Sequence, residues 1–518
     1  MVRKLTMEDV ENKQKDILGI IQNPAMTHEQ KVTELSRAAE NMLTVLDEPE
    51  GIDKYMRCSD EERCICNLFE GDAPYRPRYI CPDYPVFLKN GSRFLDLEAP
   101  KKDIWEVLNS LLILYHNVPS ITNYPVFIGN LDELLDPYME GTSDEEVKKA
   151  LRLFFTNIDR TILDSFCHAD IGPKDTRAGR LIMEVESEVQ NAVPNLTMRV
   201  SKDTPDDFLV KGVECALKCA KPSFANDEMF RKELGDNYCI ASCYNGLLIG
   251  GGSYTLSRLI LGHIAEQSKN TDDFLNNKLP EVMEVMAKYM DERVKFIVEK
   301  SGFFESNFLV REGLIHRDRF TAMFGMVGLA EAVNILLEKD GITGVRFGHG
   351  DKRADDLGVT IMNKIQEFVE HHDAPYCECT NGHYLLHAQV GLAQDDHITP
   401  GHRIPIGEEP AELVDHLKNI SLYQKYFVSG AGDIFPMEVT VKRNPEHVKD
   451  IIRGSFDMDI RYLSFYASDS DVVRVTGYLV KRSELEKLAG GENVRQNTTG
   501  LGLGSSQNGH SLDRRIRQ

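Results

Sequence analysis

The alternation of strand-forming and helix-forming segments through the middle of the chain constrains its fold more than any other feature. Short runs rich in β-branched and aromatic residues are predicted strands, and longer runs with apolar residues at three- and four-residue steps are predicted helices. In chain order the segments are a helix at 103–116, strand 124–128, helix 143–158, strand 196–200, helix 208–220, strand 237–242, helices 255–267, 272–300 and 319–338, and strand 344–347. This order predicts an α/β protein whose core strands are parallel.

The two ends of the chain have their own patterns. Thr27 and Gln30 form a capping box, and the apolar spacing after them predicts a helix which, with residues 7–22, makes a helical N-terminal layer. Near the C-terminus we predict strands at 434–441 and 459–467, separated by a helix that begins after Asn444 and ends at Gly454. The Gly-, Ser- and Asn-rich tail, residues 490–518, is predicted to be irregular and flexible.

Charge and composition exclude several functions. The net charge of −22 over 518 residues argues against a nucleic-acid-binding protein and against docking on an anionic membrane. The N-terminus carries acidic residues at once and no apolar stretch, so it does not look like a signal peptide, and no apolar run is long enough to cross a bilayer. We therefore expect a cytoplasmic protein, in which the 11 cysteines are free thiols, metal ligands or catalytic groups.

Four cysteines in the N-terminal region are weak candidates for a structural metal site. They are Cys58, Cys64, Cys66 and Cys81. Metal-binding cysteines usually come in Cys-x-x-Cys pairs, and this spacing is irregular, so we predict no metal there.

Two short segments suggest chemistry when they are taken together. The first is the C-terminal run from Val472 to Tyr478, which reads Val-Val-Arg-Val-Thr-Gly-Tyr, and the second is a central loop that contains Cys239 and Cys243 and leads into three consecutive glycines. Each has an ordinary interpretation. The first could be a strand end, and the cysteines could be small core residues.

The C-terminal run resembles the Arg-Val-small-Gly-Tyr signature of the glycyl radical enzymes, the superfamily of pyruvate formate-lyase and anaerobic ribonucleotide reductase. The central loop resembles that superfamily's cysteine finger, and residues 324–333 are similar to a Gly-Leu-x-Glu helix that comes after the finger in ribonucleotide reductases. The resemblance covers residues from 237 to the C-terminus, in the family's order. The length of the chain and the segment that follows this C-terminal run most resemble the YjjI-type branch of the superfamily.

The resemblance implies roles for individual residues. Gly477 would store an unpaired electron on its Cα, within the motif formed by Arg474, Val475, Thr476 and Tyr478. A Cα radical is planar and conjugated with both flanking peptide groups, and a Cβ would clash in that geometry. Cys243 would be the thiyl residue, with Cys239 in reserve. Thr476 departs from the family, which usually has Ser, Cys or Ala before the glycine.

The resemblance also implies an architecture and partners. The fold would be a ten-stranded α/β barrel of two five-stranded halves, in which the cysteine and glycine loops meet. It would comprise helical residues 1–95, a barrel core at 96–395 with its cysteine loop at 237–252, and a glycine radical domain at 396–518. A separate radical S-adenosylmethionine activase with an iron–sulfur cluster would install the oxygen-sensitive radical under anaerobic conditions. The enzyme would be a homodimer with no bound cofactor.

The substrate stays open from sequence, because the chain departs from the mark of each known branch. Formate acetyltransferases have two adjacent cysteines, diol dehydratases have Cys-x-Glu where this chain has Cys243-Tyr244-Asn245, and anaerobic ribonucleotide reductases have C-terminal zinc cysteines that are missing after Gly477. We expect a small polar substrate. The sequence leaves open whether the protein is a lyase, an acyltransferase, a reductase or a non-catalytic radical carrier. It also leaves open whether the general base is Asp433, Glu438 or His387.

Overall fold

The computed structural model describes residues 5–68, 70–101, 103–392, 395 and 397–518. Its α-helices are α1 Met7–Gln22, α2 His28–Glu40, α3 Ile52–Tyr55, α4 Tyr84–Asn90, α5 Ile104–Tyr115, α6 Leu131–Leu135, α7 Asp144–Thr161, α8 Arg177–Val189, α9 Asp206–Cys219, α10 Asp227–Leu234, α11 Leu261–Glu266, α12 Thr271–Asp273, α13 Leu279–Lys295, α14 Phe303–Ser306, α15 Phe308–Arg311, α16 Leu329–Lys339, α17 Lys352–His371, α18 Leu413–Gln424, α19 Pro445–Phe456, α20 Arg482–Ala489 and α21 Asn497–Asn508.

The strands are short except for two in the centre of the chain. They are β1 Ile65–Cys66, β2 Tyr79–Cys81, β3 His168–Ile171, β4 Asn195–Val200, β5 Ser223–Asn226, β6 Tyr238–Ala241, β7 Asn245–Leu248, β8 Gly251–Ile260, β9 Phe320–Val327, β10 Leu385–Ala388, β11 Asp433–Met437, β12 Tyr462–Ala467, β13 Val472–Arg474 and β14 Leu479–Lys481. Two π-helical segments, Phe274–Lys278 and Phe296–Lys300, flank α13.

Two mixed sheets of five strands each form the centre of the fold. In the first, β8, β9 and β10 run parallel, while β1 and β2 both pair antiparallel with β8. In the second, β3, β4 and β5 run parallel, and β12 pairs antiparallel with β5 and parallel with β11. The α/β prediction is confirmed. Among the described residues no strand ladder joins the two sheets into a closed barrel, so the ten-stranded barrel stays a prediction.

Two hairpins stand apart from the sheets and carry the residues predicted to react. The cysteine hairpin is β6, the three-residue turn 242–244 and β7. The glycine hairpin is β13, the four-residue turn 475–478 and β14. Each hairpin pairs only with itself among the described strands.

Helix predictions failed in the centre of the chain because tertiary burial overrode local pattern. Residues 255–260 belong to β8 and residues 320–327 to β9, although the sequence pattern predicts helices for both. Every residue of these two strands is buried, so neither shows the alternation that marks a half-exposed strand. The Gly-Leu-x-Glu helix begins only at Leu329, and the predicted strand at 344–347 is irregular.

Two C-terminal predictions were also wrong. The helix after Asn444 passes through Gly454 and ends at Phe456, because Gly454 does not adopt the left-handed conformation with which a glycine usually ends a helix. The tail is not irregular throughout, since α21 covers residues 497–508. A Cβ on Gly502 would lie 2.8 Å from Val480 Cγ1, so the small residues of α21 let it pack closely on the glycine hairpin.

The helices predicted for the N-terminal layer are present in the structure. Thr27 and Gln30 form the predicted capping box at α2, and α1 has a capping box of its own between Thr6 and Asp9. Within the part of the chain that is described, no helix combines the length and the apolar character needed to span a membrane.

Candidate active site

The tips of the cysteine and glycine hairpins touch each other. A Cβ built on Gly477 would lie 2.3 Å from Cys243 Sγ and 2.5 Å from Cys243 Cβ. A Cα–Cβ bond is about 1.5 Å long, so the Gly477 Cα lies within about 4 Å of the Cys243 sulfur. The glycine and the cysteine predicted to react, 234 positions apart in the numbering, are therefore neighbours.

Glycine is required at position 477 by space and not by backbone conformation. Gly477 does not have a positive φ, so another residue could adopt its backbone angles. The Cβ position, however, is already filled by Cys243 and by Val390, whose Cγ1 would lie 2.8 Å from it. Contacts under 3.0 Å between a Cβ and another heavy atom are essentially never seen, so any side chain would push the hairpins apart.

Two buried side chains hold the Gly477 carbonyl. Asn195 Nδ2 donates to Gly477 O at 3.2 Å and also to Ser242 O at 3.3 Å, so one amide links both hairpins. Arg474 donates to Gly477 O at 3.3 Å, to Asn195 Oδ1 at 2.9 Å and to Ala220 O at 3.1 Å. Donors on this oxygen favour electron density on the carbonyl, which is where a conjugated Cα radical would spread it.

The tip of the cysteine hairpin is fixed through its backbone. Ser242 has a left-handed φ of 60°, and its carbonyl oxygen lies 2.7 Å from His168 Nδ1. Burial lowers the pKa of His168 to about 3, so the ring is neutral and its Nδ1–H donates to Ser242 O. Tyr462 Oη donates to Cys243 O at 2.9 Å. These bonds determine the direction in which the Cys243 side chain points.

The Cys243 thiol keeps its proton at neutral pH. Burial raises its pKa to about 12, and the residue is only 4% exposed, with the Ser242 hydroxyl 3.7 Å from its sulfur. A thiolate would be suited to nucleophilic attack, whereas a neutral S–H can give up a hydrogen atom. The protonation state of Cys243 is therefore compatible with hydrogen-atom transfer.

Cys239 lies elsewhere. It is in the middle of β6 and fully buried in the main core, where its thiol is paired with that of Cys81. Cys243 belongs to a separate small cluster with Tyr238 and Ile240, the two neighbours of Cys239 on β6. Adjacent positions of a strand face opposite sides, so Cys239 points away from the cluster at the tip where Gly477 lies.

A cavity of about 900 Å³ opens in front of Cys243. Cys243 and Tyr478 line it, but Gly477 does not. It extends to α1, α2 and α21, so the N-terminal layer and the tail form its outer wall. Its other polar lining residues near Cys243 are Arg78, Tyr79, Asp164, Asn245, His387 and Gln389.

Asp164 is a buried acidic group of this cavity that no sequence pattern indicated. It is 2% exposed, and burial raises the pKa of its carboxyl to about 7. Its Oδ1 accepts from the Phe166 amide at 2.9 Å. It lies after α7 in the sequence Leu163-Asp164-Ser165, which contains no motif that could have identified it.

The three residues that the sequence offered as general bases are less suitable for that role than Asp164. His387 lines the cavity, but burial lowers its pKa to about 3, which makes it a weak base. Asp433 pairs with His416 at 3.0 Å and lines a different cavity. Glu438 lies at a partly exposed position where its side chain accepts from Thr440.

Thr476 fits its unusual position because of a second glycine. Its Cγ2 would lie 3.6 Å from a Cβ on Gly391, so the extra methyl group occupies space left by that glycine. Tyr478 packs edge to face on Phe166, with ring centroids 5.3 Å apart. Both side chains of the motif are buried.

The four N-terminal cysteines do not converge. Cys64 accepts from Gln267 Nε2 at 3.3 Å, Cys66 lies beside Arg258, and Cys81 pairs with Cys239. Across the described residues, no group of three or more His, Cys, Asp or Glu side chains is placed to hold a metal ion.

Comparison with known proteins identifies the family of this chain. The family model described as "Glycyl radical enzyme YjjI-like" matches residues 26–517. An "Uncharacterized protein" of Haemophilus influenzae is 44% identical over 512 residues, covering 97% of each chain. "Uncharacterized protein YjjI" of Escherichia coli K12 is 41% identical over 503 residues, covering 96% of this chain and 95% of the relative.

Solved structures share the fold. The anaerobic ribonucleotide reductase from Thermotoga maritima, in complex with dATP and CTP, has a TM-score of 0.66 at 12% identity over 93% of this chain and 90% of its own. The hydroxyproline dehydratase of Clostridioides difficile, with trans-4-hydroxy-L-proline bound, has a TM-score of 0.64 at 13% identity over 99% of this chain and 89% of its own. At such identities the likeness concerns the fold alone.

Proposed function

The chain belongs to the YjjI-like glycyl radical enzymes, and from that premise we propose that it stores a radical on Gly477 and uses Cys243 to abstract hydrogen from a small polar substrate. The observation that carries this proposal is the contact between the two hairpin tips, with the cysteine and not the glycine facing the cavity. A substrate in that cavity can reach the stored radical only through the sulfur.

The proposed relay balances at each step. The Gly477 radical takes the hydrogen atom of the Cys243 thiol, which leaves a C–H bond on the glycine and a thiyl on the cysteine. The thiyl then takes a hydrogen atom from a substrate carbon and becomes a thiol again. After the substrate radical has rearranged, the product radical takes back the thiol hydrogen, and the resulting thiyl regains one from Gly477.

Dehydration of a small hydroxylated compound is the reaction type that the cavity supports best. Abstraction of hydrogen from a carbinol carbon leaves a radical whose hydroxyl becomes acidic. Asp164, with its pKa raised to about 7 by burial, would accept that hydroxyl proton, and the neighbouring hydroxyl would then leave and be protonated to water. The net change is loss of water without an external oxidant or reductant. One structural neighbour is described as a hydroxyproline dehydratase.

The alternatives have less support. Acyl transfer of the formate acetyltransferase type needs two thiols at the radical site, and Cys239 pairs with Cys81 instead. A ribonucleotide reductase function is suggested only by fold. A pure radical carrier would not need the cysteine hairpin or a cavity of about 900 Å³.

The radical itself would come from a second protein. A separate radical S-adenosylmethionine activase would remove a hydrogen atom from Gly477 under anaerobic conditions, for which the glycine hairpin must leave the core. We also propose that the two sheets form a closed ten-stranded barrel and that the protein is a homodimer. Its domain boundaries would lie at 95/96 and 395/396.

Electron paramagnetic resonance of the activated protein tests the radical. Anaerobic co-expression with a matched activase should give a doublet, whose splitting comes from the single remaining Cα–H of Gly477. Protein grown on Cα-deuterated glycine and kept in deuterated medium, so that the Cys243 thiol also carries deuterium, should give a collapsed line, a change that leaves the packing against Cys243 untouched. If no doublet forms with a competent activase, or if the splitting survives deuteration, the proposal is wrong.

A further inference from the structure

A second cavity, of about 300 Å³, lies on the seam between the core and the C-terminal tail. Thr399, Arg403 and Asp433 line it from the core side, and His510, Arg514 and Arg517 line it from the tail. We call it the seam cavity. It shares none of its lining residues with the cavity in front of Cys243.

Three arginines of the seam cavity are buried, at 3–8% exposure. Arg403 donates from Nε to Gly432 O at 2.8 Å, but its two terminal nitrogens have no hydrogen-bond partner in the described structure. Arg514 donates to the backbone carbonyls of Ser511 and of Val475, the latter at 2.7 Å. A buried guanidinium with unused donors is energetically unfavourable unless an anion completes it.

Arg517 is bonded in a similar way. It donates to the carbonyls of Pro410 and Ala411 and to His416 Nδ1 at 2.9 Å. Because His416 accepts there, its other nitrogen carries the proton and donates to Asp433 at 3.0 Å. Asp433 therefore has a hydrogen-bond donor already, and its nearest arginine atom is Arg403 Nε at 3.9 Å.

The other carboxylates of the seam cavity each have a partner, although one oxygen of Glu331 and one of Glu408 have none in the described structure. Glu408 pairs with Arg346 at 2.6 Å, Glu331 accepts from Thr399, and Glu409 accepts from the Gly407 amide at 2.7 Å. None of the described carboxylates lies within ion-pair distance of Arg514 or Arg517. Burial, with Arg403 nearby, lowers the pKa of Arg514 to about 10, against the smaller opposing effects of Tyr466, Asp433 and Glu409.

We propose that the seam cavity binds a small oxyanion, the phosphate or carboxylate group of a small metabolite. Planar guanidinium groups bind such groups through paired N–H donors, and the volume limits the ligand to a compact molecule. The ligand would join Arg403 of the core to Arg514 of the tail.

An oxyanion bound in the seam cavity would act on the glycine hairpin through Arg514. Arg514 donates to Val475 O, two residues before Gly477, and α21 packs on Val475 and Val480. A ligand that fixes Arg514 would hold the tail and the hairpin in the closed arrangement. The binding is independent of the proposed function, whereas any effect on radical installation rests on it.

Calorimetric titration of the full-length protein without a radical tests the binding. Sodium phosphate, and in a second arm sodium succinate, should bind at one site per chain, while sodium chloride at equal ionic strength should not. The arm with the tighter binding tells phosphate from carboxylate ligands. Arg514→Gln should weaken binding about tenfold or more, and Arg514→Lys less, because it keeps the charge but not the fork.

Further variants keep the test decisive. Arg515 lines the same cavity but is exposed, so Arg515→Gln should fold normally and weaken binding several-fold even if Arg514→Gln does not fold. Arg353→Gln, at an exposed arginine on α17, is the matched control and should bind as wild type. Absence of both phosphate and succinate binding, or equal affinity in wild type, Arg514→Gln and Arg515→Gln, would overturn the proposal.

Hydrogen exchange locates the effect. Bound ligand should slow amide exchange in residues 497–517 and in the glycine hairpin, and leave α17 unchanged. With activase present, the ligand should also slow the appearance of the doublet. A missing doublet in all samples would count against the proposed function only, whereas unchanged tail exchange at saturating ligand would count against the seam site.

Discussion

The cysteine hairpin and the glycine hairpin are both isolated two-stranded ribbons, but they are held in different ways. The cysteine hairpin is bonded to the cores of both sheets, through Ile240 to Asp170 at 2.8 Å, Gly246 to Ser429 at 2.9 Å and Tyr244 to Ala388 at 2.7 Å. The glycine hairpin is bonded to Ser165, to Asn195 and to Arg514 of the tail.

This difference fits the proposal that the cysteine hairpin stays fixed while the glycine hairpin can leave the core. The bonds of the cysteine hairpin lie inside the core, so moving it would disrupt both sheets. The glycine hairpin is covered by α21 and bonded to Arg514 of the tail, so releasing the tail leaves its bonds to Asn195, Ala220 and Ser165 to be broken, none of which is part of a sheet ladder. Such an arrangement suits a radical that is installed outside the core and used inside it. Variants of both hairpins and of the cavity test this comparison, with the largest expected effect first.

The first prediction separates the two cysteines without needing the substrate. In deuterated solvent the thiol carries deuterium, so a working relay should pass deuterium to Gly477 and collapse the doublet. Cys243→Ala should retain the radical and abolish this exchange completely. Cys239→Ala, the matched control in the same hairpin, should exchange as wild type. Exchange that persists in Cys243→Ala and stops in Cys239→Ala would reverse the assignment.

The second prediction concerns Asp164. Asp164→Asn should retain the radical and lower turnover of a hydroxylated substrate by about 10²–10⁴-fold, as expected for loss of a general base. Wild-type kcat/KM should rise with pH through about 7, where the carboxyl ionises. Asp132→Asn, a buried carboxyl outside the cavity, should leave that profile unchanged, and a variant of Asp164 with the wild-type profile would refute the role.

The raised pKa of Asp164 also predicts that the stability of the protein depends on pH. This pKa is raised in the folded protein above the ordinary value of 3.8 to about 7, so the folded state binds more protons in that interval. Asp164 therefore favours folding below about pH 4, and its contribution is lost as pH rises to about 7. Urea unfolding of Asp164→Asn should show a weaker decline over that window. An unchanged difference between the variant and wild type at all pH values would contradict this.

The third prediction tests the contact between the hairpin tips. Gly477→Ala should lower the free energy of unfolding by about 1–3 kcal/mol, because the new methyl overlaps Cys243. The matched control is Gly454→Ala, in the exposed interior of α19 with nothing within 4 Å, which should stabilise the protein by about 0.5–1 kcal/mol. Equal effects of the two substitutions in urea would show that the tips are not in contact.

The fourth and smallest prediction concerns the residue in which the chain departs from its family's usual motif. Thr476→Ser removes a buried methyl that faces Gly391, and should lower the free energy of unfolding by about 0.8 kcal/mol while preserving the doublet. Thr360→Ser, at an exposed site on α17, should have almost no effect. Loss of the radical in Thr476→Ser would mean that the methyl group does more than pack.

The family of this chain could be predicted from a few residues, because the chemistry of a Cα radical depends on residue type and order. Gly477 with Arg474 and Tyr478, a cysteine on a turn, and their sequence order were enough. Capping boxes and the N-terminal helices were predictable for a related reason, since they depend on neighbours three or four positions apart.

Only the tertiary structure decided what depends on distant neighbours. Burial on all sides made strands of residues 255–260 and 320–327, and packing on the glycine hairpin made a helix of a glycine-rich tail. Asp164, Asn195 and Arg403 carry no local signal, because their burial, pKa and unused donors come from segments far away in the sequence. The order of residues determines which atoms can react, and folding determines which of them meet and in what dielectric environment.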